Sequence, residues 1–183
     1  TKNFSVALSK AGKTLAIREL SEQNFSHAEK LHVFIEELLL EINVTFQDVK
    51  AIAVSQGPGS YTGLRIGVSA AKGLCYGLSI PFIAIDTLEA MADSVQSEVD
   101  EGAILIPMID ARRMEVYTAF FNTSLVHIKE THPLIIENNS FDKYKNKHLV
   151  LFGNGLEKCK TIIEHKNILF IPNIETNANY MVK

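Results

Sequence analysis

The spacing of apolar and polar positions divides the first part of the chain into a hairpin and a long helix. Two β-prone runs, residues 4–9 and 14–20, flank a glycine-containing turn and predict a β-hairpin. Ser26 and Glu29 have the spacing of a capping box, and a helix is predicted over residues 27–42. The apolar positions of this helix extend beyond one stripe, which indicates that two of its faces are covered.

A strand, a helix and a second strand follow. The strands are predicted over residues 49–55 and 80–86, and the helix over 61–78. This order is typical of parallel strands covered by a helix. A further helix is predicted over residues 87–99.

The second half of the sequence contains more short strands. They are predicted over 103–110, 115–121, 125–130, 149–152 and 168–172, with a helix over 156–165 and a first helical turn at 179–183. The composition changes near residue 100. The sequence therefore predicts a two-lobed α/β molecule with an N-terminal lobe at 1–100 and a C-terminal lobe at 101–183.

Composition and charge exclude several classes of protein. The chain has 183 residues, of which 46% are hydrophobic, and a net charge of -3. This charge argues against a nucleic-acid binder that relies on bulk positive charge. Two cysteines do not make a secreted disulfide framework, which favours the cytoplasm. The apolar stretches are much shorter than the ~20 residues that span a bilayer, so no membrane association is expected.

A glycine-rich turn lies between the strand 49–55 and the helix 61–78. Its Gly57, Gly59 and Ser60 precede a helix N-terminus, where free N–H groups favour anions. However, Thr62 stands where a dinucleotide fingerprint needs glycine, and Gly63 is not followed by the Lys-Ser/Thr of a Walker loop. Two interpretations stay open: phosphate binding, or a sharp turn that avoids Cβ clashes.

Small residues recur every fourth position on the helix 61–78. Gly63, Gly67, Ala71 and Cys75 share one face, and glycine inside a helix costs about 1 kcal/mol relative to alanine. Close approach of another backbone would explain the pattern. That backbone could belong to this chain's own sheet or first helix, or to a second subunit that docks a matching helix pair.

A family resemblance is carried by residues 55–67, which read Ser-Gln-Gly-Pro-Gly-Ser-Tyr-Thr-Gly-Leu-Arg-Ile-Gly, and by residues 71–74. This stretch resembles the signature of the bacterial TsaB (YeaZ) family, and residues 109–117 and 153–155 match two further family segments. The resemblance implies an actin-like ATPase or sugar-kinase (ribonuclease H-like) fold, with two related lobes of mixed sheets flanked by helices. Compared with the family pattern, we expect the opening strand and the C-terminal helices to lie outside this sequence.

The resemblance also implies a function. Family members act in the cytoplasm in making threonylcarbamoyladenosine, beside the anticodon of tRNA. The TsaB subunit is implied to be a non-catalytic partner of its paralogue TsaD, which carries the metal and transfers the threonylcarbamoyl group, and the ATPase TsaE joins them. A homodimer is expected for the protein alone, and tRNA only within the complex. No cofactor is expected, with ATP or ADP at the interface with TsaD as an open alternative.

The resemblance implies that the two helices predicted over 27–42 and 61–78 form the subunit interface. The predicted contact residues are Leu31, Phe34, Ile35 and Leu38 of the first helix and Gly63, Gly67, Ala70, Ala71 and Leu74 of the second. Residues predicted to contact a nucleotide or a partner are Gly57, Gly59, Ser60, Arg65, Asp110 and Arg112.

No active site is predicted. The catalytic paralogue has two histidines where this chain has Thr87 and Met91, which do not suit a hard divalent ion, so no metal is expected. Asp110, with Arg112 and Arg113, is either a contact cluster or an ion pair that braces a turn. The competing functions are an ATP-binding or ATP-hydrolysing enzyme on the same fold and a metalloprotease.

A short basic run lies in the second half of the chain. Lys143, Lys145 and Lys147 could contact tRNA phosphate or form a solvated face, and the neighbouring Asp142 favours the second interpretation.

Overall fold

The computed structural model describes residues 3–20, 27–163 and 166–182. They form two compact units. One comprises the described residues up to Thr87 together with those from Thr176 onward, and the other comprises Leu88–Glu175. No helix within the described ranges is long and apolar enough to cross a bilayer.

The first unit contains two small sheets and two long helices. Its elements are β1 (Phe4–Lys10), β2 (Lys13–Leu20), α1 (His27–Glu41), β3 (Ile52–Gly57), α2 (Tyr61–Leu78) and β4 (Phe82–Asp86). β1 and β2 pair antiparallel as the predicted hairpin, and Ala11 and Gly12 at its tip both have positive φ. β3 and β4 pair in parallel, which confirms the predicted strand–helix–strand unit. The 3-10 turn Ala178–Met181 contacts β1, β2 and β3.

The second unit is built on one five-stranded sheet. Its elements are α3 (Thr87–Val95, whose first residue belongs to the first unit), β5 (Ile104–Asp110), β6 (Glu115–Phe121), β7 (His127–Ile135), β8 (Leu149–Phe152), α4 (Leu156–Lys160) and β9 (Ile168–Ile171). The strand order is β7-β6-β5-β8-β9. β6 runs antiparallel to β5 and β7, while β8 is parallel to β5 and β9.

The core of the second unit covers both faces of this sheet. Alternate residues of a strand point to opposite faces. Ile106 and Met108 of β5 therefore join one apolar cluster, while Leu105 and Ile109 join the other. The second cluster includes Met91 of α3. α3 thus packs on the sheet that follows it, and the contact boundary before Leu88 differs from the predicted lobe boundary at residue 100.

Several element ends differ from the sequence prediction. β3 begins at Ile52 rather than 49, and β7 runs from His127 to Ile135 rather than over 125–130. The C-terminal residues form a 3-10 turn capped by the side chain of Asn177, rather than a first α-helical turn. The capping residue Ser26 and the predicted end of the last helix at His165 lie outside the described residues.

Candidate functional site

The glycine-rich turn of the first unit lies at the carboxyl ends of the parallel strands β3 and β4. Gly57 is in register with Asp86 of β4. The hydroxyl groups of Ser55 and Thr87 hydrogen-bond to each other beside the turn. This edge is where open α/β sheets bind ligands. Sequence analysis did not identify the Ser55–Thr87 pair, because the two residues belong to different strand ends.

The turn itself packs against the first turn of α2. Gly57 has φ +110°, and a Cβ there would lie 3.2 Å from Leu64 Cδ1. A Cβ at Gly59 would lie 3.8 Å from the same atom. The Ser60 side chain accepts a hydrogen bond from the N–H of Gly63 at 3.3 Å, which caps the helix. These contacts favour the interpretation of a sharp turn, and a nucleotide or partner contact by Gly57, Gly59 and Ser60 stays a prediction.

Arg65 lies one turn further along α2. It is exposed, and its guanidinium group lies 4.1 Å from the ring centroid of Tyr61, which is also exposed. This pair leaves the guanidinium donors open to solvent. The predicted contact by Arg65 is therefore sterically possible.

The positions that carry histidines in the catalytic paralogue are occupied by core residues. Thr87 is buried and bonded to Ser55, and Met91 is buried in the apolar cluster beneath α3. Among the residues that the structure describes, no three His, Cys, Asp or Glu side chains come together as a metal site.

The small face of α2 packs within the chain. A Cβ at Gly67 would lie 3.5 Å from Cγ2 of Val54 in β3, and both Ala71 and Cys75 are buried. The Cys75 thiol donates to the carbonyl oxygen of Pro81 at 3.4 Å. Gly67 and Ala71 therefore support this chain's own packing, and their contact with a partner stays a prediction. The small residues at four-residue spacing allow α2 to approach its own sheet closely.

The predicted stripe of α1 is also largely internal. Leu31, Phe34 and Leu38 are buried, and the Phe34 ring stacks on Phe4 of β1 at a centroid distance of 5.6 Å. Within this chain they cover the hairpin, and their contact with a partner stays a prediction. Ile35 is half-buried, as are the remaining predicted residues of α2, Gly63, Ala70 and Leu74.

Other residues of these two helices face solvent. Val33 and Leu40 of α1 are 42% and 79% exposed, and Tyr76 of α2 is 91% exposed. Gly73 and Gly77 flank Tyr76, and a Cβ at either would meet nothing within 4 Å. α1 and α2 contact each other. We call these five residues the exposed helix stripes.

The polar cluster of the second unit is organised by Lys158, a residue that sequence analysis missed. Its ammonium group forms an ion pair with Asp110 and donates to the carbonyl oxygen of Glu115 at 3.0 Å. The Asp110 carboxylate also accepts from the N–H of Arg112 at 2.8 Å, and the Asn154 side chain accepts from the N–H of Asp110 at 2.8 Å. The structure thus favours the brace, but its cation is Lys158 rather than an arginine.

These contacts change the acidity of Asp110. Partial burial alone would raise its pKa, but the hydrogen bond from Lys158, the backbone hydrogen bond from Arg112 and the Lys158 charge outweigh burial, so the pKa of Asp110 is lowered. The carboxylate is therefore charged at neutral pH, and its contacts with Lys158 and the Arg112 N–H hold it at the turn.

The segment 153–155 fixes the position of α4 beside this cluster. Gly153 has φ +106°, and a Cβ there would lie 2.2 Å from the carbonyl oxygen of Met108. A Cβ at Gly155 would lie 2.8 Å from Cγ1 of Val116. The N–H of Gly155 donates to the same Met108 carbonyl at 3.1 Å. Only glycine fits both positions, which gives this family segment a packing role.

Comparisons with known proteins agree on one family. The family model described as TsaD, tRNA N6-adenosine threonylcarbamoyltransferase, matches residues 20–180. The tRNA threonylcarbamoyladenosine biosynthesis protein TsaB of Haemophilus influenzae is 37% identical over 117 residues, which are 64% of this chain and 48% of that protein. TsaB of Buchnera aphidicola subsp. Schizaphis graminum is 33% identical over 171 residues, which are 88% of this chain and 80% of that protein. The chain thus spans about half the length of the first relative and four fifths of the second.

Solved structures show the fold. YeaZ from Pseudomonas aeruginosa superposes with a TM-score of 0.77 at 23% identity, covering 98% of this chain and 84% of that one. An inorganic polyphosphate/ATP-glucomannokinase from Arthrobacter sp. superposes with a TM-score of 0.51 at 10% identity, covering 98% and 91%. The predicted α/β fold is confirmed, and YeaZ and this sugar kinase share it. Together with the match over residues 20–180 and the identity to two TsaB proteins, this shows that the chain belongs to the TsaB (YeaZ) family.

Proposed function

We propose that this chain is a non-catalytic dimerisation and scaffold subunit of the complex that adds threonylcarbamoyl to the adenosine beside the anticodon of tRNA, and that it supports the catalytic paralogue TsaD. The observation that carries the proposal is the pair of exposed helix stripes. Large apolar side chains lie in solvent there, beside glycines with open space above them. Exposed apolar surface of this kind marks protein interaction sites.

The stripes have the geometry of a helix-pair interface. Val33 and Leu40 are seven residues apart and share one face of α1. Gly73 and Gly77 allow a partner helix to approach the backbone of α2, and Tyr76 between them is a large anchor. The predicted residues Leu31, Phe34, Leu38 and Ala71 act beneath this surface and hold the two helices in place.

Thr87 and Met91, at the two positions where the resemblance implies histidines in the catalytic paralogue, support a non-catalytic role. The Thr87 hydroxyl is hydrogen-bonded to the Ser55 hydroxyl, and the Met91 thioether lies inside the core. The Thr87 hydroxyl is engaged by Ser55 and the Met91 thioether is a soft ligand, so the two residues do not replace a pair of imidazole ligands for a hard divalent metal. We therefore assign the transfer chemistry to the paralogue, with the metalloprotease as a weaker alternative.

The wider complex follows from the same assignment. In this proposal the chain forms a homodimer when alone, exchanges that contact for TsaD, and is joined by the ATPase TsaE in the cytoplasm. It meets tRNA within the complex. ATP or ADP at the interface with TsaD belongs to this proposal, and ATP hydrolysis by the chain alone is the alternative that the experiment below tests.

The experiment alters the stripes without altering the core. Gly73→Leu adds bulk where the chain leaves space, and Leu40→Asp puts a charge on the stripe of α1. Ile128→Asp is the matched control, because Ile128 is 45% exposed on β7 of the other unit. Gly67→Leu would test folding instead, because it presses on Val54.

Sedimentation velocity and capture by TsaD measure the outcome. Each stripe variant should weaken both associations about thirtyfold, the effect of losing one interface hot spot of about 2 kcal/mol. Threonylcarbamoylation by the mixed subunits should fall in parallel, while the control behaves like the unaltered chain. Unchanged association of both variants would refute the scaffold surface, and ATP turnover by the chain alone would favour the alternative enzyme.

A further inference from the structure

Two adjacent arginines project from the connection between β5 and β6. Arg112 has φ +71° and Arg113 has φ +46°, so both lie in the left-handed region without being glycine. The connection is held by hydrogen bonds on either side of them. The N–H of Ala111 donates to the carbonyl oxygen of Glu115, and the N–H of Glu115 donates to that of Arg112, both at 3.1 Å. The backbone thus presents two cationic side chains at a fixed place.

These side chains are cations without a counter-charge. Both are exposed, and neither guanidinium has a hydrogen bond or ion pair within the described residues. The nearest carboxylate in sequence, Asp110, is already occupied by Lys158. Glu115 is half-buried on the adjoining strand and is the other acidic residue of this connection. Unpaired guanidinium groups favour a ligand that brings its own negative charges.

Apolar side chains lie beside the arginines. Met114 is 39% exposed, and Tyr117 follows on β6 at 38%. In the register of β6 and β7, Tyr117 is opposite Pro133 and Glu115 is opposite Ile135, so their side chains share one face. Tyr117 follows Arg113 by four residues and lies two residues beyond Glu115, about 7 Å further along the strand. We call Arg112, Arg113, Met114 and Tyr117 the arginine–tyrosine surface.

We infer that the arginine–tyrosine surface binds a single-stranded segment of RNA. The two guanidinium groups contact successive backbone phosphates, and the Tyr117 ring stacks on a base. This is the combination of cationic and aromatic groups by which proteins hold single strands. The inference deepens the proposed function, on which it rests, by naming the surface that meets the tRNA.

Charge complementarity favours RNA over a protein partner. The chain as a whole is acidic, with a net charge of -3, so two neighbouring unpaired arginines form a local exception. A polyanion with one phosphate per nucleotide offers negative charge to both groups. A protein partner that bears carboxylates is the occupant that loss of TsaD capture would identify.

The test measures fluorescence anisotropy of a labelled anticodon stem-loop RNA titrated at low salt with the complex of the full chain and TsaD, the assembly in which the chain is proposed to meet tRNA. The variants are Arg112→Gln with Arg113→Gln, and Tyr117→Leu. The matched control is Lys129→Gln with Lys166→Gln, which removes the same charge from two other exposed positions of the second unit. A blunt duplex of equal length serves as the second ligand.

The arginine pair variant should weaken stem-loop binding tenfold or more and lower the salt slope by about 1.4, since each contacted phosphate of a single strand contributes about 0.7. Tyr117→Leu should weaken the stem-loop at least fivefold and the duplex less than twofold. The control should change either affinity less than threefold.

Three results would overturn the inference: no RNA binding by the complex with the unaltered chain at low salt, equal losses in the arginine variant and the control, or loss of TsaD capture by the arginine variant. The last would identify a protein surface. The helix-stripe variants separate this inference from the proposed function, because they should lose TsaD capture, whereas the arginine variant should keep TsaD capture and lose RNA affinity only. If the stripe variants associate normally while the arginine variant loses RNA affinity, the scaffold proposal is refuted and the RNA inference is not.

Discussion

Alanine at Gly153 should strongly destabilise the second unit. Its Cβ would lie 2.2 Å from the Met108 carbonyl oxygen, 2.9 Å from Met91 Cε and 3.0 Å from the Met108 nitrogen. Two of these atoms belong to the backbone of a central strand, so they cannot move aside as a side chain can. The substitution therefore combines a steric clash with an unfavourable backbone conformation at φ +106°.

The two contributions have separate magnitudes. A non-glycine residue held in a sparsely populated backbone region costs about 1–3 kcal/mol. Overpacking a well-packed core costs about 1–3 kcal/mol more. Their sum, about 2–6 kcal/mol, is a large part of the roughly 5–15 kcal/mol by which a domain is stable.

Two other glycines of the same unit separate these contributions. Gly102 has φ +88°, but a Cβ there would meet nothing within 4 Å, so Gly102→Ala adds only backbone strain. Gly155 lacks a positive φ, but its Cβ would lie 2.8 Å from Cγ1 of Val116, so Gly155→Ala adds only a clash. Urea unfolding followed by circular dichroism gives the free energy of unfolding for each variant.

The free energy of unfolding should fall most for Gly153→Ala, by about the sum of the other two losses, because each control carries one of its two penalties. A loss no larger than that of Gly102→Ala would refute the reasoning. It would mean that the approach of residue 153 to Met108 is looser than the structure shows.

Three further predictions concern other parts of the chain. Thr118→Val should lower the free energy of unfolding by about 1–2 kcal/mol in urea, because it removes the buried hydrogen bond of 2.8 Å to the Pro107 carbonyl oxygen. Asp110→Asn should destabilise the chain at pH 7, and the difference from the unaltered chain should shrink as pH falls below about 4 in acid-unfolding curves, because a lowered pKa contributes stability only while the carboxylate is charged. Leu38→Ala should cost about 2–5 kcal/mol in thermal unfolding, since Leu38 is 2% exposed, while Leu40→Ala should cost less than about 1 kcal/mol at 79% exposure.

Local sequence determined the elements whose signals are local. α2 begins at Tyr61 and ends at Leu78 as predicted, because Ser60 caps its first turn and Ser79 adopts the left-handed conformation that ends it. The hairpin of β1 and β2 followed from a turn signal between two β-prone runs. The motif at residues 55–67 likewise sufficed to indicate the family, which the comparisons confirmed.

The use of each helix face was decided by tertiary structure. The sequence showed that α1 is apolar on two faces, but both interpretations of the glycine spacing on α2 were open. Packing assigned Leu38 and Ala71 to the interior and left Leu40 and Gly73 in solvent. A periodic spacing of apolar or small residues indicates that a helix face is buried, but it does not show whether this chain or a partner buries it.

Contacts between distant residues also depended on the tertiary structure. Asp110 was recognised as a polar candidate, but its partner Lys158 comes from a helix 48 positions later and carried no local signal. The parallel pairing of β5 and β8 brings the turn after each strand to the same edge of the sheet, and this places Lys158 beside Asp110. Sequence by itself therefore determined the elements and the family, while the pairing of strands decided which residues meet, because only the folded sheet joins residues that the chain separates.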